Sequence, residues 1–140
     1  MSLISLNGRV AAAVLSVLVT VAAPTTDLRI TDSRGTSVVV TGATIDYGGM
    51  LATDQQSDGI RLLQGDGAVL LKWSNVDAIR VTKVDESESP PRIDLEVVLR
   101  DGKRVPATLL RKGRMQLLGK TQLGDYSIGL DKIRMIVPVR

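Results

Sequence analysis

Lys103, Arg104, Arg111, Lys112, Arg114 and Lys120 are the residues whose type and spacing most directly suggest chemistry. They fall between Gly102 and Gly124 with no acid among them, on a chain whose formal net charge is only +3. The positive charge is therefore local, and a local basic patch attracts anions. Arg111, Lys112 and Arg114 share the turn RKGR, from which all three are expected to project outward. Anionic headgroups, acidic polymers and acidic proteins are the partners such a patch fits. A solvated turn with ordinary surface charges gives the same pattern.

Three other stretches resemble reactive motifs and fall short. Gly119-Lys120-Thr121 has the ending of a phosphate loop. However, the required upstream glycine position holds Arg114, and the following residues read as a turn and a strand instead of a helix. Asp54 to Gly59 opens like a calcium loop, but the twelfth position is Gly65 where a bidentate Glu is needed. A looser cation site from Asp46, Asp54 and Asp58 stays open on the chemistry of carboxylates. Gly65-Asp66-Gly67 lacks the third glycine of a dinucleotide fingerprint and reads as a tight turn.

Composition removes whole classes of mechanism. The chain has no His and no Cys. It therefore has no imidazole base or ligand, no thiolate nucleophile, no disulfide and no Cys-type zinc site. No Ser–Lys or paired-Asp arrangement stands at a recognisable spacing, so no catalytic residue and no cofactor is expected. The length of 140 residues fits one domain, and 44% hydrophobic residues suffice for a core. With 2% aromatics and no Phe, that core must be built from Val, Ile and Leu, which suit pleated sheets.

The elements expected to carry these residues come in two sets. Laying residues 27–42 over 94–109 matches Asp27 with Asp94, Leu28 with Leu95, Gly35 with Gly102, Val38 with Val105 and Thr41 with Thr108. Each copy reads as strand, tight turn, strand. Ile93, Leu95, Val97 and Leu99 alternate onto one face, and Val105, Ala107 and Leu109 continue it. The pair Asp101-Gly102 supplies the left-handed residues of a hairpin turn. Laying 67–79 over 124–136 matches Gly67 with Gly124, Val69 with Tyr126, Leu71 with Ile128, Trp73 with Leu130, Val76 with Ile133 and Ile79 with Ile136. The alternating positions predict a strand with one buried face. Ser74 and Asp131 are then expected to cap a single turn before the next strand. Trp73 reads as a core plug whose counterpart is Leu130. The units are 27–84 and 94–138, joined by an acidic loop at 85–92 that carries Pro90-Pro91. The first unit is longer, with its excess in 43–59, read as a loop whose Asp54 to Gly59 stretch is polar.

Residues 1–23 read as a secretory signal peptide. Arg9 precedes an apolar run from Val10 to Ala23 that ends in small residues, and the run is short of the ~20 residues needed to span a bilayer. The expected mature domain is 24–140, periplasmic or secreted, touching a membrane only if the segment is retained.

The grammar of Gly, alternating apolar residues, a polar cap and apolar positions at i+3 and i+6 resembles small SH3-like or Sm-like β modules of exported bacterial proteins. The resemblance covers about half of the expected mature chain. It implies an all-β fold, a small barrel or sandwich made of two related units, and it transfers no functional residue. The expectation is a non-enzymatic interaction module whose partner is a protein, an anionic envelope component or a second copy. Two alternatives stay open. One is a small metal-dependent or hydrolytic enzyme with its site in 43–59. The other is a nucleic-acid-binding barrel, which export and the scarcity of aromatics for base stacking weigh against.

Overall fold

The computed structural model describes residues 26–48, 55–109 and 114–140. The expected signal segment, Asp54, Arg111 and Lys112 lie outside these residues. Period-two alternation becomes strand throughout. In β7 (Arg92–Leu99), Ile93, Leu95 and Val97 are buried while the residues between them are half-buried. Ahead of it come β1 (Leu28–Asp32), β2 (Ser37–Asp46), β3 (Gln55–Gln56), β4 (Gly59–Gln64), β5 (Gly67–Lys72) and β6 (Val76–Asp85). After it come β8 (Arg104–Leu109), β9 (Gln116–Thr121), β10 (Gly124–Gly129) and β11 (Ile133–Pro138). The helical structure among the described residues is two 3₁₀ turns, Trp73–Asn75 and Leu130–Lys132.

All strands join one antiparallel sheet that curls into a half-barrel. Its order is β10-β9-β2-β1-β11-β6-β7-β8-β4-β5, with β3 added beside β2. Leu28, Ile30, Ile45, Trp73, Val76 and Leu117 lie at the centre of the core, each no more than 1% exposed. The aliphatic core expected from the composition is what the sheet encloses.

The order reads the same from either end when strands before the 86–91 loop are exchanged for strands after it. Registers follow suit. Leu28 faces Val40 as Leu95 faces Ala107, and Ile30 faces Ile136 as Val97 faces Ile79. Both β1–β11 and β6–β7 slip at the matching place, where Asp32 meets Ile133 and Leu99 meets Val76. Single hydrogen bonds also match. Ser33 N–H donates to the Lys132 carbonyl at 2.8 Å, and Arg100 N–H donates to the Asn75 carbonyl at 3.2 Å.

Several expectations need correction. The Asp101-Gly102 turn has one left-handed residue, not two: Gly102 has φ of 90°, and no non-glycine among the described residues has positive φ. Gly102 N–H donates to the Leu99 carbonyl at 2.9 Å and Leu99 N–H to the Lys103 carbonyl at 2.8 Å, so the loop holds three residues ending in glycine. Asp32 to Thr36 repeats this geometry around Gly35. A Cβ on Gly102 would meet nothing within 4 Å, leaving only backbone strain. Gly102→Ala should therefore cost about 1–2 kcal/mol, read from denaturant midpoints. A smaller loss would show that the turn relaxes.

Ser74 and Asp131 do not cap the 3₁₀ turns but sit inside them, after Trp73 and Leu130. Backbone does the capping work: Trp73 N–H donates to Asp58 and Leu130 N–H to Met115 carbonyls at 3.0 and 3.1 Å. The 43–59 stretch is not wholly a loop, since β2 runs to Asp46 and Ala43, Ile45 and Tyr47 are buried. Finally, the expected buried face of β5 is largely open. Val69 is 39% exposed and Leu71 half-buried, because β5 ends the sheet.

Candidate functional site

The basic residues do not assemble into one patch among the described residues. Lys103 and Arg104 sit at the start of β8, whereas Lys120 is on β9, and five strands separate β8 from β9 along the sheet. Arg104 is held by Glu96 at 3.2 Å, and Lys103 lies 3.9 Å from Asp101. Both are exposed pairs, of a kind worth under about 1 kcal/mol, yet they partly neutralise the charge there. Arg114 is exposed just before β9, beside a cavity bounded by Pro91, Ile93, Leu130 and Asp131. Arg111 and Lys112 lie outside the described residues.

The other candidate motifs become structure. Gly119, Lys120 and Thr121 lie on β9, with no helix to receive a phosphate, and a Cβ on Gly119 would stand 2.4 Å from Val40. Gly65 has φ of 62° and turns β4 into β5, as expected. Asp46 accepts the Gly48 N–H at 2.9 Å in a local turn. No trio of acidic residues is placed to hold a metal among the described residues. Within the same stretch, the Tyr47 hydroxyl accepts the Arg61 N–H at 2.7 Å and donates to Gln56 Oε1 at 3.3 Å. The Arg61 guanidinium lies 4.9 Å from the Tyr47 ring centre. Burial pushes the Tyr47 phenol above its usual value, partly opposed by the Arg61 amide and charge. These contacts clip β3 and β4 to the end of β2.

The surface that sequence reading missed is the outer edge of β5, which no strand pairs among the described residues. Beside it, an apolar groove of about 180 Å³ is lined by residues of β4, β5, β7 and β8. Leu62, Val69 and Leu71 line it from β4 and β5, and Val97, Val105 and Ala107 from β7 and β8. Gln64 is the polar side chain at its rim among the described residues, and no charged residue lines it. Leu70, on the opposite face of the same strand, is 43% exposed. The signal was present in Ala68-Val69-Leu70-Leu71, an uncharged run apolar on both faces. Such runs normally belong to strands buried on both sides. Here the run ends a sheet, where natural proteins usually place charge, proline or a bulge against unwanted pairing.

Comparison with known protein families, curated proteins and solved structures finds no match to the chain.

Proposed function

We propose that the chain is an exported, non-enzymatic interaction module that adds an extended segment of a partner protein to the β5 edge. The observation that carries this reading is that, among the described residues, no strand pairs with the outer edge of β5, which carries one charged residue, Lys72, at its end and lies beside an uncharged groove. Main-chain pairing gives a strand ligand affinity, at about 0.5–1.5 kcal/mol net per hydrogen bond, and side-chain pockets beside the edge give selectivity. Export rests on Arg9, the apolar run Val10–Ala23 and the small residues that end it.

We read the domain as two related SH3-like units. Their support is the matched registers, the matched slips and the paired 3₁₀ turns. The anion-binding reading has less support, since Lys103 and Arg104 already face acids and Lys120 stands in the other half of the sheet.

Leu70→Lys tests the edge. It places a charge on an already exposed side chain, so the melting temperature should change little. A photocrosslinker at position 68 in the full chain, in its native envelope, should give one discrete protein adduct that Leu70→Lys abolishes. The same probe at Arg34, in the β1–β2 turn, should not give it. Equal adducts at both positions, or an adduct indifferent to Leu70→Lys, would remove β5 as the binding edge.

A further inference from the structure

The curled sheet has two mouths, equivalent in register and different in content. One is the open groove beside β5. In the other, Tyr126 stands where Val69 stands, Ile30 where Val97 stands, and Val40 where Ala107 stands. Gly119 takes the place of Leu62, and its lack of a side chain lets Val40 approach. The residues of this second mouth are more deeply buried. Tyr126 packs on the core, and Ile30 and Val40 are 0% exposed. Burial pushes the Tyr126 phenol above its usual value, with the Asp32 charge adding to the effect. At the first mouth the lining residue Ala107 is only half-buried, Val69 is 39% exposed, and about 180 Å³ stays open. An apolar cavity of roughly 150 Å³ is enough to take benzene.

We propose that the open mouth receives an aromatic side chain from the partner strand that pairs with β5, an inference that rests on the function proposed above. Three observations select the occupant. The lining is uncharged, which excludes acidic and basic side chains on desolvation grounds. Gln64 at the rim suits the hydroxyl of a tyrosine, whose ring is buried while its tip is hydrogen-bonded. At the equivalent position of the other mouth this chain itself places a tyrosine, Tyr126, packed on the core. A second copy cannot supply the ring. The chain has one Trp, two Tyr and no Phe. Trp73 and Tyr47 are each 1% exposed, and Tyr126 packs on the core of its own chain. The aromatic must come from a different protein.

The probe is a set of blocked hexapeptides alternating Thr and Val, with Tyr, Phe, Leu or Ala at one central position. Methyl NMR of the full chain at millimolar peptide reports mouth occupancy through Val69, Leu71, Val97 and Val105. Amide exchange of β5 separately reports strand addition. The Tyr and Phe peptides should shift the mouth methyls and bind at least tenfold more tightly than the Ala peptide. Val69→Tyr copies the second mouth and should erase that preference while β5 protection persists. Ala107→Val, the counterpart of Val40, narrows the groove from β8 and should weaken the preference with less risk to folding. If all four peptides protect β5 equally and leave the mouth methyls unmoved, the aromatic inference fails while strand addition stands. If none protects β5, both fail. Mouth signals that change with protein concentration alone would put a second copy at the edge and overturn the assignment to a different protein.

Discussion

Trp73→Ala should lower the free energy of unfolding by about 3–5 kcal/mol, the range for removing a large buried aromatic. Domains of this size are stable by roughly 5–15 kcal/mol, so the loss is a large share of the total. Trp73 is 1% exposed and sits where β5 passes into the first 3₁₀ turn. Its N–H is bound to the Asp58 carbonyl at 3.0 Å, and its own carbonyl accepts from Arg140 at 3.2 Å. Arg140 also donates to the Val76 carbonyl, so one guanidinium ties both ends of the turn. Backbone is thus fixed on both sides of the indole and cannot collapse into the space that alanine leaves. One detail separates the ring's volume from its polarity. Among the described residues, buried Trp73 Nε1 has no hydrogen-bond partner. An unsatisfied buried donor costs about 1–3 kcal/mol, so Trp73→Phe, which keeps a ring and removes the donor, should lose much less than alanine. Denaturant unfolding of the three proteins measures both differences. A loss under about 1 kcal/mol for alanine would show that the site repacks.

The same residue shows how far the sequence could be read. Trp73 and Leu130 were legible as buried residues because a strand's period of two changes to a spacing of three at both places. Val76, Ile79, Ile133 and Ile136 were legible for the same reason, and all four are at most 4% exposed. The capping role given to Ser74 and Asp131 failed because residue type was read where a backbone bond from a distant carbonyl already satisfied the turn. The 43–59 stretch misled because its polar end, Asp54 to Gly59, masked the inward alternation of Ala43, Ile45 and Tyr47. The exposure of Val69 was not legible at all. Alternation assigns a residue to a face, but whether that face is covered depends on which strand ends the sheet. Strand order is a long-range property, and no local period carries it. For the same reason Lys103 and Lys120 looked like members of one patch. They are near in sequence, yet the hairpins that hold them join opposite halves of the sheet.

That long-range order sets up the second large effect. A chain cut within the 86–91 loop should give two fragments that are each unfolded alone and that fold when mixed. The reason is the partner list of each strand. Among the described residues, only β1–β2, β2–β3 and β4–β5 pair with one another before the loop, and only β7–β8 and β9–β10 after it. Every remaining pairing crosses the cut: β2–β9, β1–β11, β11–β6, β6–β7 and β8–β4. Among the described residues, β6 and β11 have no partner within their own half. Each fragment alone is therefore left with two separate hairpins and a lone strand, and isolated hairpins are marginal in water. The core divides the same way, since Ile79 meets Ile136 and Val97 across the cut. Mixing restores every pairing, so sheet signal in circular dichroism and blue-shifted Trp73 emission should return together. They should do so at 1:1 stoichiometry and with a dependence on concentration that the intact chain lacks. A fragment ending in the loop that shows sheet signal and buried tryptophan emission by itself would mean that one half folds autonomously. The exchange of strands between halves would then add to stability without being the condition for the fold.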